Sequence, residues 1–237
     1  MRLNISDRGH RESQACRLRR NVEDVASSAV EEYLQAIYTL ADENGHVVSA
    51  RLAEFLSFSA PAVSEMVHRL ERDGLVTLDD HKEVHLTILG KAQADSIVRR
   101  HRLAERFLVQ VLGFAWWKTH AEAELLEHAM SPEMEARMAA VLGNPQTCPH
   151  GNPMPGVRPI PTRPLERLTI GERATVERIP DQFEHEPGFL EYLDTQGVRP
   201  GATLEMIEQG PGLLRVGVDG RERSLRPDCG QKVWVAL

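Results

Sequence analysis

Apolar residues recur at helical spacing through the first third of the chain, alternate briefly, resume helical spacing to about residue 142, and alternate again to the end. In residues 27–43 a Ser27-Ser28 pair stands where a cap belongs. Val30, Tyr33, Leu34, Ile37, Tyr38 and Leu40 then fall on one face, and Gly45 ends the helix. Residues 49–57 predict a short second helix with Ser49 as its cap. A third follows a tight turn at Phe58, with Ser59 as N-cap, Pro61 in the first turn and Gly74 as the stop. Two short β-type runs, LVTL and EVHLT, flank the polar turn Asp79-Asp80-His81-Lys82.

Three helices followed by a two-stranded ribbon is the winged helix-turn-helix pattern, in which the third helix enters the major groove. A generic three-helix bundle with a hairpin is the competing reading. The small residues Ser59, Ala60, Ala62 and Ser64 weigh against it, because they let a helix start approach base edges closely. Arg69, Arg72 and Lys82 are phosphate-contact candidates, or simply solvated charges.

A long helix is predicted from a Thr87 cap to about Leu112, with Ala92, Ile97, Leu103, Phe107, Leu108 and Val111 as its apolar positions. Another runs from near Trp116 to Met130, and Ser131-Pro132 caps a third, Glu133–Leu142. Together they are apolar enough for a dimer interface. Residues 143–164 hold seven of the fourteen prolines and predict a linker or extended loop. Within it Cys148 and His150 favour a turn over a metal site, since two ligands beside prolines converge poorly. From Leu165 onward short alternating strands with Gly turns, and one helix around Phe189–Thr195, predict a small barrel.

Composition adds limits. The chain has 237 residues, 41% hydrophobic and 27% charged, enough for one large or two small domains. No apolar run is long enough to span a bilayer and no signal-type apolar core opens the chain, which points to the cytoplasm. Three scattered cysteines, Cys16, Cys148 and Cys229, argue against a disulfide framework. A formal net charge of −7 argues against a nonspecific nucleic-acid coat but leaves room for a local basic footprint. Residues 1–26, with Arg2, Arg8, Arg11, Arg17, Arg19 and Arg20, are expected to be a disordered basic leader rather than a DNA arm.

The chemistry concentrates in residues 99–130. His101 and Glu105 stand at i, i+4; His120, Glu124 and Glu127 stand at i, i+4, i+7, with His128 adjacent. Helical geometry brings each set onto one face. Glu31 or Glu32 of the first helix joins them as a further candidate. Carboxylate and imidazole donors without thiolate suit Mn2+ and Fe2+, and other divalent transition metals bind such sets in vitro. For one such helix a solvated face with ordinary ion pairs is the better reading; two, joined by a short turn beside a DNA reader, favour metal. A hydrolase is weighed and set aside. The order His-x-x-Glu-His fails at Glu124, and His-Glu-x-x-His, G-x-S-x-G and a phosphate loop are absent.

Several stretches carry a family resemblance: EEYLQAIYTL, SAPAVSEMVHRLERDGLV, HRLAERFL, HAEAELLEHAMS and HGNPMPG. With them the chain resembles the diphtheria-toxin-repressor family of metal-dependent transcription regulators, including the manganese transport regulators, over residues 27–156. More weakly, residues 165–237 resemble the SH3-like domain of three-domain members. The resemblance implies a primary metal site of Glu32, Glu124, Glu127 and His128. It also implies an ancillary site of His101, Glu105 and His120, completed by a carboxylate from the SH3-like domain, where Glu184, His185 and Glu186 lie. Iron-responsive members carry Met where this chain has Glu32 and Cys where it has Glu124; carboxylates at both match the manganese-responsive members. Gln35 departs from the manganese type, which has a glutamate there. On the DNA side the family match puts Ser59, Pro61, Ala62, Ser64 and Glu65 at the groove, with Glu65 able to accept from a cytosine amino group.

The expected fold is therefore mainly α with a β-rich C-terminal domain. It comprises a winged helix-turn-helix (27–88), a helical metal-binding and dimerisation domain (89–156), a proline-rich linker (157–164) and an SH3-like, FeoA-type barrel (165–237). The expected function is a homodimeric repressor of manganese or iron uptake genes, not an enzyme. It is activated by Mn(II), binds double-stranded operator DNA and has no membrane role. An Fe(II)-activated repressor of the same fold is the first alternative. A metal-independent winged-helix regulator and a metal-dependent hydrolase are more remote.

Overall fold

The computed structural model describes residues 28–41 and 45–237. The basic leader, Cys16, the Ser27 half of the first cap and residues 42–43 of the first predicted helix lie outside the described residues. The chain divides into two compact units, one ending at Ala94 and the other running from Asp95 to Leu237.

In the first unit, α1 (residues 28–41) buries Tyr33, Leu34, Ile37 and Leu40, the face read from the sequence. Helices α2 (Ser49–Leu56) and α3 (Ala60–Arg72) follow, then an antiparallel hairpin of β1 (Val76–Leu78) and β2 (Val84–Leu86). Leu52, Val63, Val67, Leu70, Val76 and Val84 join the α1 face in one core. Each large aliphatic side chain removed from water there contributes about 1.5–3 kcal/mol. The cap of α2 differs from expectation: Val48, in extended conformation, is the N-cap and Ser49 is the first helical residue, with no side-chain cap bond. Ser59 does precede α3, but its hydroxyl makes no capping bond either.

Helix α4 (Ile88–Gln110) begins in the first unit and continues into the second. Thr87 caps it as expected, its Oγ1 accepting from the Gly90 N–H at 3.0 Å. Gly90 is required by packing, because a Cβ there would stand 1.9 Å from the Leu75 carbonyl oxygen.

The second unit continues with a 3-10 turn (Trp116–Lys118), α5 (Thr119–Glu127) and α6 (Pro132–Val141). Ser131 caps α6 by accepting from the Met134 N–H at 3.2 Å. Helix α5 stops at Glu127, three residues before the expected end. The β-rich part contains β3 (Arg163–Pro164), β4 (Arg173–Arg178), α7 (Phe189–Gln196), β5 (Thr203–Gly210), β6 (Leu213–Val218), β7 (Arg221–Leu225), α8 (Cys229–Lys232) and β8 (Trp234–Ala236). The strands form one antiparallel sheet in the order β3-β8-β4-β5-β6-β7. Alternation decides its faces: Ala174 and Val176, Leu204 and Met206, and Leu214, Val216 and Val218 all point into the core. Arg163 and Pro164, read as linker from the sequence, instead pair with Val235 and Trp234 of β8. Trp116 and Trp117 pack against this barrel core, the packing role expected of them. No helix among the described residues is long and apolar enough to cross a membrane.

Candidate metal centre

Helix α4 carries His101 and Glu105 one turn apart, and both are buried. Helix α5 brings His120 beside them: His101 Nε2 and His120 Nδ1 are 3.1 Å apart. Glu105 Oε1 lies 3.4 Å from His101 Nε2 and 3.9 Å from His120 Nδ1. The barrel adds Glu184, whose Oε2 is 3.5 Å from His120 Nδ1. One donor atom from each of His101, Glu105, His120 and Glu184 falls within 4.8 Å of all the others. Of the acidic and imidazole residues read at 184–186, Glu184 is thus the one in this cluster. His185 takes a different position, its Nδ1 3.1 Å from His120 Nε2.

Sequence reasoning passed over His150. The expected turn is present, with the Gly151 N–H bonding to the Cys148 carbonyl at 3.1 Å, yet it delivers His150 into the cluster rather than away from it. His150 is fully buried, its Nδ1 3.2 Å from both Glu105 Oε1 and Glu184 Oε1. Its Nε2 donates to the Trp116 carbonyl at 2.9 Å, which leaves Nδ1 as the nitrogen that faces the two carboxylates. Gly151, at φ +90°, allows this approach, since a Cβ would sit 1.9 Å from the Glu177 carbonyl oxygen. Cys148 is close enough for its Sγ to form a donor set with Glu105 and His150. The Cys148 thiol thus lies beside the imidazole and carboxylate donors, in a segment that its prolines marked as linker. The available signal was the triplet spacing of Cys148 and His150 beside a glycine.

Supporting bonds hold these candidate donor atoms in place. Asn152 Nδ2 donates to Glu184 Oε1 at 2.9 Å and to the Ile179 carbonyl at 2.8 Å. Arg102 pairs with Asp181 at 2.5 Å and donates to the Pro153 carbonyl.

Of the second predicted set, Glu124, Glu127 and His128 adjoin the first. Glu127, buried at the end of α5, places Oε2 2.5 Å from His101 Nδ1 and Oε1 3.4 Å from His128 Nε2. Glu124 Oε1 is 3.3 Å from His120 Nε2. Glu32 lies on the exposed side of α1 in the other unit and is described with that unit alone.

The electrostatics are those of a cation-seeking cavity. Burial works against a charged His101, but Glu105 and Glu127 outweigh it and raise the imidazole to about 10. His120 and His150 are raised likewise against the effect of burial, by Glu105, Glu124 and Glu184 for the former and by Glu184 and Glu105 for the latter. Burial would lift Glu105, yet His150 and His101 hold it well below the carboxylate range, and His150 similarly brings Glu184 to about 2. Burial and the neighbouring Glu105 push the Cys148 thiol up to about 11. Neither Glu105 oxygen makes an aligned hydrogen bond among the described residues, although the carboxylate is buried. Buried carboxylates without such bonds are costly. Convergent imidazole and carboxylate donors around an unsatisfied carboxylate fit a divalent cation.

On the DNA-reading side, Ser59, Pro61, Ala62 and Glu65 are exposed along the start of α3, and Ser64 is half-buried. Arg69 lies 3.7 Å from Asp73, and Arg72 is exposed at the helix end. Lys82 is at the hairpin tip with φ 64°, a left-handed residue in the tight turn.

Comparison with known proteins agrees with this architecture. Residues 26–86 match the iron dependent repressor N-terminal DNA binding domain. Residues 87–156 match the iron dependent repressor metal binding and dimerisation domain, and residues 163–237 the FeoA domain. The chain is 36% identical over 210 residues to the iron-dependent repressor IdeR of Mycobacterium leprae, covering 83% of this chain and 91% of that protein. It is 34% identical over 217 residues to the diphtheria toxin repressor of Corynebacterium diphtheriae, covering 86% and 95%. A solved manganese-dependent transcriptional repressor in complex with manganese superposes with a TM-score of 0.79 at 38% identity, covering 87% of this chain and 99% of that one. With its reading head, its buried imidazole–carboxylate cavity and its barrel all accounted for, the chain belongs to the diphtheria-toxin-repressor/IdeR family as a three-domain, metal-dependent, DNA-binding transcriptional repressor and not an enzyme.

Proposed function

We propose that the chain is a manganese-activated repressor that binds operator DNA as a homodimer and silences genes for manganese or iron uptake. The observation that carries the metal reading is Glu105, a buried carboxylate with no aligned hydrogen bond among the described residues, ringed by His101, His120 and His150 with Glu184 alongside. On this reading His101, Glu105, His120, Glu184 and His150 hold the ancillary ion, and Glu32, Glu124, Glu127 and His128 hold the activating one. Oxygen-rich donors at Glu32 and Glu124 favour Mn2+. Fe2+ is the second reading, favoured by the Cys148 sulfur beside Glu105 and His150 and by Gln35 in α1.

A bound divalent ion supplies the positive charge that lets Glu105 and Glu184 share one buried space. The chain's own residues supply the linkage: Glu32 sits on α1 of the DNA-reading part, whereas Glu124, Glu127 and His128 sit on and just after α5. An ion held by both favours the arrangement in which the two reading heads match operator spacing. It can do so only by its preference for that arrangement. Ser59, Pro61, Ala62, Ser64 and Glu65 of α3 would face base edges, with Arg69, Arg72 and Lys82 on phosphates. The division into 27–88, 89–156 and 165–237, with 157–164 as connector, belongs to the same proposal. Homodimerisation is supported by the exposed apolar residues Val111, Leu112, Met134 and Val141, and by a groove of about 360 Å³ whose lining includes Phe107, Met134, Met138 and Val141 with Glu133 and Arg137.

The test is operator binding by the Glu127→Ala and His128→Ala variants. Both are expected to lose metal-dependent binding while keeping the helical circular-dichroism signal. Metal dependence retained in both variants contradicts the assignment.

A further inference from the structure

The hairpin of the reading unit carries a second, separate group of metal-ligating side chains. Thr77 and His85 face each other across β1 and β2, on the side opposite the buried Val76 and Val84. Period-two geometry puts Asp79 and Glu83 on that same outer side. Asp79 Oδ1 is occupied by the turn, accepting from the backbone N–H groups of His81 and Glu83 at 2.9 and 2.8 Å. Its Oδ2 remains on the outer face, 3.3 Å from His85 Nε2. A third segment adds a fourth donor. Val48 bridges to Glu83 and the Val84 N–H bonds to the Val47 carbonyl, which sets His46 Nδ1 2.5 Å from Glu83 Oε1. Donor atoms of Asp79, Glu83 and His85 lie within 4.8 Å of one another.

We propose that Asp79, Glu83 and His85, with the exposed His46 swinging from its bond to Glu83 onto the ion as a fourth ligand, form a surface site for a late first-row divalent ion, Zn2+ above all, on the wing. Ligands about 2.1 Å from tetrahedral zinc stand about 3.4 Å apart, close to the Asp79–His85 separation. Two imidazoles and two carboxylates are a donor set zinc accepts, and affinity in such sets rises toward the later metals. All four groups reach solvent, so the site exchanges freely and is distinct from the buried cavity around Glu105. The ion would tie the hairpin to the segment before α2 and cancel the negative charge of the two carboxylates. Where the wing meets phosphate, as in the function proposed above, that change strengthens DNA contact. Occupancy itself does not depend on that function.

Equilibrium dialysis of the full-length chain against Zn2+, followed by metal analysis per chain, tests the site. In the Asp79→Asn/His85→Gln variant the asparagine keeps the turn's acceptor oxygen, so the hairpin is retained and circular dichroism is unchanged. The variant is expected to hold one zinc fewer per chain than the wild type, and His46→Gln to weaken that same equivalent at least tenfold. Equal zinc content in wild type and double variant overturns the proposal. An unchanged affinity in His46→Gln removes His46 from it. Neither outcome bears on metal-dependent operator binding, which is scored separately with Mn2+.

Discussion

At Glu105 a single side chain concentrates the energetics of the second unit. Its carboxylate is buried, three imidazole nitrogens approach one of its oxygens at 3.2–3.9 Å, and neither oxygen has an aligned donor among the described residues. A cation resolves that arrangement more completely than hydrogen bonds do, because it faces every acceptor at once. Residues that only orient the ligands should therefore matter nearly as much as the ligands themselves. Asn152 never joins the donor set, yet it fixes Glu184 through a 2.9 Å bond. Replacing Asn152 by Ala is predicted to weaken Mn2+ binding by about 10–100-fold, the usual cost of losing such a support. Isothermal titration of the variant checks this, and unchanged affinity would remove Glu184 from the ligand set. The i, i+4 spacings exposed His101, Glu105, His120 and Glu124 in the sequence, since helical periodicity alone makes such pairs converge. His150 was not legible in the same way. Its approach depends on a glycine at φ +90° and a 2.9 Å bond to the Trp116 carbonyl, both set by tertiary contacts.

Among the elements, α4 matters most to the candidate site, and its two ends answer to different constraints. At its start Gly90 sits against the Leu75 carbonyl, with 1.9 Å available to a Cβ. Gly90→Ala is predicted to destabilise the reading unit by about 1–3 kcal/mol through overpacking. A lowered thermal midpoint would show it, and a midpoint equal to or above the wild type would contradict this packing. In α1, truncating the fully buried Leu34 to Ala should cost about 2–5 kcal/mol, again measurable by denaturant unfolding. Helix faces, the wing hairpin and the strand alternation of the barrel were all legible, because each follows from a period of 3.6 or 2. The segment 143–164 was not. Its prolines signal irregular backbone correctly, but irregular backbone can still be packed, and Cys148, His150, Asn152 and Met154 are buried there. Capping chemistry misled at Ser49, where Val48 supplies the extended residue and no hydroxyl is needed.

For the whole molecule the governing idea is linkage between a buried ion and DNA. Any ion bound by the folded chain and not by the unfolded one stabilises it, by about 2.7 kcal/mol at a hundredfold excess over Kd. Mn2+ is thus predicted to raise the unfolding temperature of the full-length protein and a chelator to reverse it, as differential scanning calorimetry would record. A midpoint indifferent to metal would contradict a buried site. The central claim reaches further, to DNA. Its most direct test is the binding of a labelled fragment of the gene's own upstream DNA to metal-free protein, titrated with Mn2+ and, anaerobically, with Fe2+. Binding that requires metal, and that Mn2+ induces at a lower free concentration than Fe2+, is the predicted result. DNA binding unchanged by either ion or by a chelator would contradict it.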